Sequence, residues 1–186
     1  RASERPGAPR ALPGRPAAAR ISPLPAIRRR SAAALLEAAV MRIATWNVNS
    51  LRARLEKVGW WLDRAEPDVL LIQETKLTDD DFPNEVFVRR GYEVAHHGEG
   101  RWNGVAILSK LGVRDVVKNF AQPVHSPLTA EAGDDEPLAE ARMISALCGD
   151  VRVTSIYAPN GRSVDSPFYH AKLAWYERLL AWFRET

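Results

Sequence analysis

Polar side chains that could act on a phosphate stand at the ends of three apolar runs. Asn47 and Asn49 close the run MRIATWNVNS, Glu74 follows VLLIQ, and Tyr157 ends VRVTSIY. A carboxylate at the end of a buried strand offers Mg²⁺ a hard oxygen ligand in a fixed position. An amide or a phenol can donate a hydrogen bond to a phosphate oxygen without adding charge. Each residue also has an ordinary explanation, as a solvated loop residue, a helix cap or an aromatic that covers a core.

The segment between Asn49 and Glu74 predicts the element that positions these groups. Its apolar residues recur at the 3.6-residue spacing of a helix, namely Leu51, Leu55, Val58 and Leu62. Asn49 or Ser50 can cap the start of this helix, and Pro67 stops it. Two strands joined by such a helix predict a βαβ-like unit. Open α/β sheets place their sites at the carboxyl ends of the strands.

The remaining pattern predicts an α/β domain. Strands are expected at 42–47, 69–73, 92–96, 104–109, 113–118, 142–148 and 151–157. Ser166-Pro167 is typical of a helix start. We expect the apolar stripe of that helix to face a core, with the members Tyr169, Leu173, Tyr176, Leu180 and Phe183. Trp175 and Trp182 flank this stripe and are interpreted as packing residues.

The packed domain is expected to span residues 41–186, after a leader and with one long surface loop. Residues 1–40 are rich in Arg, Pro and Ala and have few large apolar side chains to bury, so we expect a disordered leader that is not native. Upstream sequence read in frame before Met41 is the favoured explanation, with a transit peptide or a DNA-binding arm as alternatives. Residues 121–137 predict a surface loop, whose acids 134–136 are adjacent rather than spaced for a metal.

Composition excludes few functions. The formal net charge is +3, but residues 1–40 hold eight arginines against two glutamates, so the remainder carries −3. This mildly acidic body neither supports nor excludes a local DNA-binding face. The single cysteine, Cys148, rules out an intramolecular disulfide. The sequence has no run of about 18 apolar residues, so no membrane span is predicted.

Four segments, taken in order, carry a family resemblance. WNVNSLRAR, QETK, GVAILSK and YAPNG closely resemble the exonuclease III family of abasic-site DNA endonucleases, and the resemblance runs from Met41 to Thr186. It implies a deoxyribonuclease I-like, four-layer α/β sandwich, which we expect to be incomplete in this chain because the second half is missing. Family members continue well beyond the segment that matches Thr186.

The resemblance also implies roles for the polar residues. Glu74 matches the metal ligand, with Mg²⁺ expected and Mn²⁺ possible, and Asn49 is a weaker, indirect metal contact. Tyr157 and Asn47 match residues of the catalytic centre. The expected substrate-binding residues are Asn160, Arg142, Asn103, Lys76 and Arg52. His96 and His97 are adjacent on a strand, so their side chains diverge, and neither is assigned to catalysis.

The implied function is Mg²⁺-dependent hydrolysis of double-stranded DNA beside abasic sites and at 3′ ends. A monomer is expected in a bacterial cytoplasm, associated with the nucleoid. The family's Gly-Asp-x-Asn and Ser-Asp-His segments do not occur in this sequence. We therefore expect this chain to be a nearly inactive fragment that folds poorly. The alternatives are a phosphoesterase of the same fold that acts on RNA, inositol phosphates or lipids, and a non-catalytic product.

Overall fold

The computed structural model describes residues 40–120 and 139–186. Residues 1–39 of the predicted leader and the whole acidic loop of 121–137 fall outside the described ranges. Those two predictions therefore remain predictions. Within the described ranges, no helix is both long enough and apolar enough to cross a membrane.

The first sheet contains the predicted βαβ unit. Its strands are β1 (Ile43–Asn47), β2 (Val69–Gln73), β3 (Glu93–His97) and β4 (Val105–Ser109), in the spatial order β1-β2-β4-β3. The strands β1 and β2 are parallel and place Asn47 opposite Gln73. Since parallel strands end at the same edge of a sheet, the residues that follow β1 and β2 meet there.

The second sheet is antiparallel and packs against the first. Its strands are β5 (Arg114–Lys118), β6 (Met143–Cys148) and β7 (Val151–Ile156), in that spatial order. All seven predicted strands are thus present, each within one residue of its expected bounds. Strand β6 is almost wholly buried, because it forms the centre of this sheet and faces the first sheet.

Local sequence signals explain where the helices begin and end. Helix α1 (Leu51–Ala65) begins at Ser50, whose side chain accepts a hydrogen bond from Ala53 N, and ends at Glu66 in the left-handed conformation. Helix α2 (Asn84–Val88) is a single short turn that the sequence did not predict. Helix α3 (Pro167–Glu185) begins at Ser166, which accepts from Tyr169 N, with proline in its first turn.

Three apolar clusters separate four layers. The first joins α1 and α2 to the first sheet, through residues such as Leu51, Leu62 and Phe87. The second fills the space between the two sheets, and the third packs α3 on the second sheet through Trp175 and Trp182. The order helix, sheet, sheet, helix confirms the predicted α/β class and its four-layer arrangement for the part described.

The predicted buried stripe of α3 is wrong. Four of its five members are about half exposed: Leu173 43%, Tyr176 42%, Leu180 52% and Phe183 50%. The buried face instead carries Ala171, Trp175 and Trp182, at most 4% exposed. Both faces are apolar, and the face with the two tryptophans removes more apolar area from water when it is buried. The interpretation of both tryptophans as packing residues is confirmed.

Candidate active site

Glu74 lies at the centre of a polar cluster beyond the end of β2. Its Oε1 accepts a 2.8 Å hydrogen bond from Asn47 Nδ2, and Lys76 Nζ lies 3.2 Å from Oε2. Partial burial raises the pKa of Glu74, but hydrogen bonds from Asn47, Lys76 and Tyr157 outweigh this effect. The pKa therefore lies below the ordinary value of 4.5, and the carboxylate is charged at neutral pH.

The two asparagines and Lys76 form a closed network around this carboxylate. Lys76 Nζ donates to Asn49 Oδ1 at 2.6 Å, and Asn49 N donates to Asn47 Oδ1 at 3.0 Å. Asn47 therefore links β1 to Glu74, while Asn49 links the start of α1 to Lys76. The amide oxygen of Asn49, expected to make a weak metal contact, receives the lysine ammonium in this arrangement.

Tyr157 reaches the cluster from the second sheet. Burial raises the pKa of its phenol, as do the charge of Glu74 and the hydrogen bond to it, so the hydroxyl stays protonated and can donate. The guanidinium of Arg142 lies 5.0 Å from the ring centroid of Tyr157, and Tyr157 N donates to Arg142 O at 2.8 Å. Arg142 also forms an ion pair with Glu140.

Hydrogen bonds between the sheets fix this approach. Gln73 Nε2 donates to Ser155 Oγ at 3.0 Å, and Ser155 Oγ donates to Ile72 O at 3.0 Å. Both bonds lie one or two residues away from the polar cluster in sequence. They hold the ends of β2 and β7 together, so Tyr157 has little freedom to move away from Glu74.

Backbone strain concentrates at the same place. Five of the nine non-glycine residues with positive φ in the described ranges belong to the loops of the cluster: Asn49, Ser50, Glu74, Lys76 and Asn103. Such conformations cost about 1–3 kcal/mol each and tend to occur at functional sites. Gly104 is required here for space, since a Cβ atom on it would stand 2.0 Å from Thr75 Oγ1.

A cavity of about 430 Å³ opens beside Tyr157. Its lining has three aromatic rings, two guanidinium groups, two amides and one carboxylate, from Trp102, Tyr157, Phe168, Arg142, Arg162, Asn103, Asn160 and Glu140. The Arg162 guanidinium carbon lies 3.3 Å from the ring centroid of Phe168. Guanidinium and amide donors suit phosphate oxygens, and aromatic faces suit sugars or bases.

Most of the predicted site residues meet in this region. The polar cluster joins Asn47, Asn49, Glu74, Lys76 and Tyr157, and the adjoining cavity adds Asn103, Arg142 and Asn160. Arg52 is the exception, because its guanidinium faces Asp81 at 3.8 Å and is largely exposed. Arg54, two residues further along α1, donates to Asn49 O instead.

Residue patterns missed three contributors. Arg162 and Phe168 line the cavity, and no motif distinguishes them from loop and helix residues. Thr75, which is fully buried, contacts His96 through its hydroxyl. The sequence offered one available signal for Thr75, namely its place inside the QETK segment.

The donor set suits a hard divalent cation. Within the described ranges, no group of three or more His, Cys, Asp and Glu residues could hold a metal. Mg²⁺, however, keeps several waters and commonly binds one or two carboxylates together with substrate phosphates. A single charged carboxylate, Glu74, flanked by the amide of Asn47, fits that mode of binding.

The fold and this cluster define a class of protein. The model of the endonuclease/exonuclease/phosphatase family matches residues 44–186, and the chain belongs to that family. Within it, the resemblance to exonuclease III and to AP endonucleases is confirmed by individual relatives. Those relatives are an exodeoxyribonuclease and an AP endonuclease.

Three relatives show the range of this similarity. Exodeoxyribonuclease III of Haemophilus influenzae is 36% identical over 80 residues, which cover 43% of this chain and 30% of that protein. An AP endonuclease structure from Archaeoglobus fulgidus superposes with a TM-score of 0.68 at 39% identity, covering 78% of this chain and 52% of that one. The structure of the 3′ phosphatase NExo from Neisseria, bound to a product DNA hairpin, superposes with a TM-score of 0.66 at 36% identity, with the same coverages. The chain thus spans about half or less of the length of these relatives.

Proposed function

We propose that this chain is the amino-terminal part of a DNA repair nuclease that hydrolyses phosphodiesters beside abasic sites and at 3′ ends. The observation that supports it most directly is the charged Glu74 carboxylate, held by Asn47, Lys76 and Tyr157 at the edge of a basic and aromatic cavity. A monomeric protein of the bacterial cytoplasm, associated with the nucleoid, belongs to the same proposal.

Glu74 is the proposed ligand of the divalent metal, with Mg²⁺ the expected ion and Mn²⁺ an alternative. When bound there, the metal would polarise a phosphate oxygen and offset the charge that develops during hydrolysis. Asn47 orients the carboxylate by donating to Oε1, which keeps Oε2 turned toward Lys76. The donor set thus fixes the carboxylate before any metal arrives.

Tyr157 is the proposed hydrogen-bond donor to the scissile phosphate. Its raised pKa keeps the proton on the phenol, which is the form that can donate to an oxyanion. Arg142 lies against the ring of Tyr157 and brings a positive charge to the same cavity. The charge of Arg142 is partly offset by Glu140, so it adds positioning more than net attraction.

The adjoining cavity is the proposed place of the DNA backbone. Asn103 and Asn160 line it from two different loops, and Trp102, 62% exposed, offers a face against which a sugar or a base can stack. Arg52 remains a proposed DNA contact at a distance from the cluster. Its exposed pair with Asp81 is weak and can exchange for a phosphate.

The test uses binding, because binding reports on these residues without requiring turnover. Mn²⁺ binding to the 186-residue chain is measured by electron paramagnetic resonance, and affinity for a duplex that contains a tetrahydrofuran abasic analogue is measured by fluorescence anisotropy. We expect Glu74→Gln to weaken Mn²⁺ binding by at least about tenfold, the loss typical of removing support from a metal site.

Glu66→Gln is the matched control, since Glu66 is a glutamate at the opposite end of the same sheet, and it should leave Mn²⁺ binding unchanged. Inositol trisphosphate and RNA serve as competitors in the anisotropy experiment. Equal Mn²⁺ binding by the Glu74→Gln and wild-type chains would contradict the metal site. Displacement of DNA by inositol trisphosphate, without any preference for the abasic duplex, would contradict the substrate class.

A further inference from the structure

A buried histidine stands behind the turn that carries Glu74. His96 lies on β3, with its side chain 5% exposed, and its Nε2 is 2.9 Å from Thr75 Oγ1. The ring stacks on Phe82, with centroids 4.2 Å apart and an interplanar angle of 30°. The sequence motifs assign His96 no catalytic role, and the proposed reaction does not use it.

Thr75 connects this histidine to the polar cluster. It sits between Glu74 and Lys76, whose φ angles of 54° and 53° both lie in the left-handed region. Strained residues on both sides of Thr75 persist only where the surrounding structure holds the backbone in that conformation. The main chain of Thr75 supplies part of that constraint, since Thr75 N donates to Gly104 O at 3.1 Å and Leu51 N donates to Thr75 O at 2.9 Å.

The protonation state of the ring determines the direction of the hydrogen bond. Burial lowers the pKa of His96 to about 4, so the ring is neutral at pH 7 and carries one N–H. Asp79 Oδ1 lies 2.9 Å from Nδ1, off the line of an ideal hydrogen bond, and a carboxylate can only accept. The proton is therefore favoured on Nδ1, which leaves Nε2 free to accept from the Thr75 hydroxyl.

Asp79 is itself held in place. Lys118 Nζ lies 2.5 Å from its Oδ2, and Gly98 N donates to its Oδ1 at 2.9 Å. Gly98 also has no room for a side chain, because a Cβ atom there would stand 2.2 Å from Leu77 O and 2.4 Å from His96 Cε1. The histidine is thus held between the Phe82 ring, the Thr75 hydroxyl and a fixed Asp79 carboxylate.

We propose that His96 is a positioning residue, which accepts a hydrogen bond from the Thr75 hydroxyl and thereby holds the Glu74–Lys76 turn in the strained conformation that presents the Glu74 carboxylate. This inference rests on the proposed function only in taking Glu74 as the metal-binding group. The mechanical part, that His96 fixes the turn through Thr75, is independent of metal and of DNA.

The test compares variants that remove the hydrogen bond between Thr75 and His96 with variants that keep it. His96→Leu and Thr75→Val remove it at nearly constant volume, whereas His96→Gln and Thr75→Ser keep an acceptor or a hydroxyl. Tyr92→Phe is the matched control, since it deletes a buried hydrogen bond at the other end of β3. Each variant of the full chain is examined by amide hydrogen exchange and by Mn²⁺ binding.

We expect His96→Leu and Thr75→Val to speed exchange at the amides of Leu51, Thr75 and Lys76 by about tenfold, because the local opening becomes easier. Mn²⁺ binding should weaken by about tenfold in the same two variants, as for other outer partners of metal sites. His96→Gln and Thr75→Ser should restore both quantities to within about threefold of wild type. Tyr92→Phe should change exchange evenly and leave Mn²⁺ binding alone.

Each other result overturns a different statement. Unchanged exchange at the three amides in Thr75→Val would refute the role of His96 even if Glu74→Gln still abolished Mn²⁺ binding. Faster exchange in the chain as a whole, without rescue by His96→Gln, would mean that His96 supports only general stability. Absence of Mn²⁺ binding by wild type would refute the metal site of the proposed function, while the exchange data would still decide the positioning role.

Discussion

The two ends of the first sheet contain similar residues with different consequences. At one end, Glu74 meets the amide of Asn47, the ammonium of Lys76 and the phenol of Tyr157 around a strained turn. At the other end, Arg42 N donates to Asp68 Oδ2 at 2.7 Å, and Lys110 lies 3.7 Å from Glu66 with the glutamate side chain 66% exposed. Exposed pairs of this second kind typically contribute about 0–1 kcal/mol.

The difference lies in convergence rather than in composition. At the carboxyl ends of β1 and β2, the second sheet packs on the first and is held there by the hydrogen bond from Ser155 to Ile72 O. Several polar groups therefore face one carboxylate. The second sheet also reaches the opposite end, where Gly149 N donates to Leu111 O at 3.1 Å, but the charged groups there pair along the surface. A charge therefore acquires chemistry here only where independent elements deliver their polar groups to the same point.

Strand β3 shows the same contrast with a buried ring near each end. Tyr92 donates through its hydroxyl to Pro67 O at 2.8 Å, and burial raises the pKa of its phenol to about 12. His96 is buried at the site end, where the pKa is lowered to about 4. Both rings are held in their neutral forms by burial, but only His96 titrates in an accessible range of pH.

The largest expected effect is therefore a dependence of stability on pH that comes from the site end. Since the folded pKa of His96 lies below the ordinary 6.5, the unfolded chain binds the proton more readily. The contribution of neutral His96 to the free energy of unfolding is fully present above pH 6.5 and is lost as the pH falls toward 4. The loss reaches about 3 kcal/mol of the free energy of unfolding, from the size of the shift.

Urea unfolding at pH 7, 6, 5 and 4.5 measures this dependence. His96→Gln has no titrating ring and should give a flatter profile over the same range, with Tyr92→Phe keeping the wild-type slope. A profile for His96→Gln that is as steep as that of wild type would assign the effect to other groups, such as His97, whose pKa is also lowered by burial.

An intermediate effect is expected from the two tyrosines. Tyr157→Phe removes the proposed donor to the phosphate and should weaken binding of the abasic duplex by about tenfold, the value of one hydrogen bond to a charged group. Tyr92→Phe should leave DNA affinity unchanged but lower the free energy of unfolding by about 1–3 kcal/mol, because a buried carbonyl loses its partner.

Anisotropy titrations and urea unfolding on both variants separate the two roles. The contrast between the ends of the sheet fails if Tyr92→Phe reduces DNA affinity as much as Tyr157→Phe does. It also fails if neither substitution affects binding.

The smallest effect is expected at the end of the first sheet opposite Glu74, where the charged groups do not meet at one point. Lys110→Met removes an exposed ion pair with Glu66 and a contact with the Tyr92 ring, whose centroid lies 5.3 Å away. The free energy of unfolding should fall by less than about 1 kcal/mol. A loss above about 2 kcal/mol in urea unfolding would show that this end is more tightly coupled than its exposure indicates, and would weaken the contrast.

The sequence by itself determined the elements and most of the membership of the candidate site. Strands were predictable because apolar and β-branched runs are local properties. Helix ends were predictable because Ser50 and Ser166 cap through their own side chains and Pro67 cannot continue a helix. The motif segments also identified the polar residues that meet around Glu74. Their roles remain predictions, since geometry alone assigns no chemistry.

Only the tertiary structure decided which surfaces meet. Both faces of α3 are apolar, and the choice of Trp175 and Trp182 for burial depended on the shape of the second sheet. Likewise, Arg54 rather than Arg52 reaches Asn49, and His96 meets Thr75 across 21 positions of sequence. The physical reason is the same in each case: periodicity specifies which face a residue occupies, whereas the partner of that face is set by packing between segments that are distant in the chain.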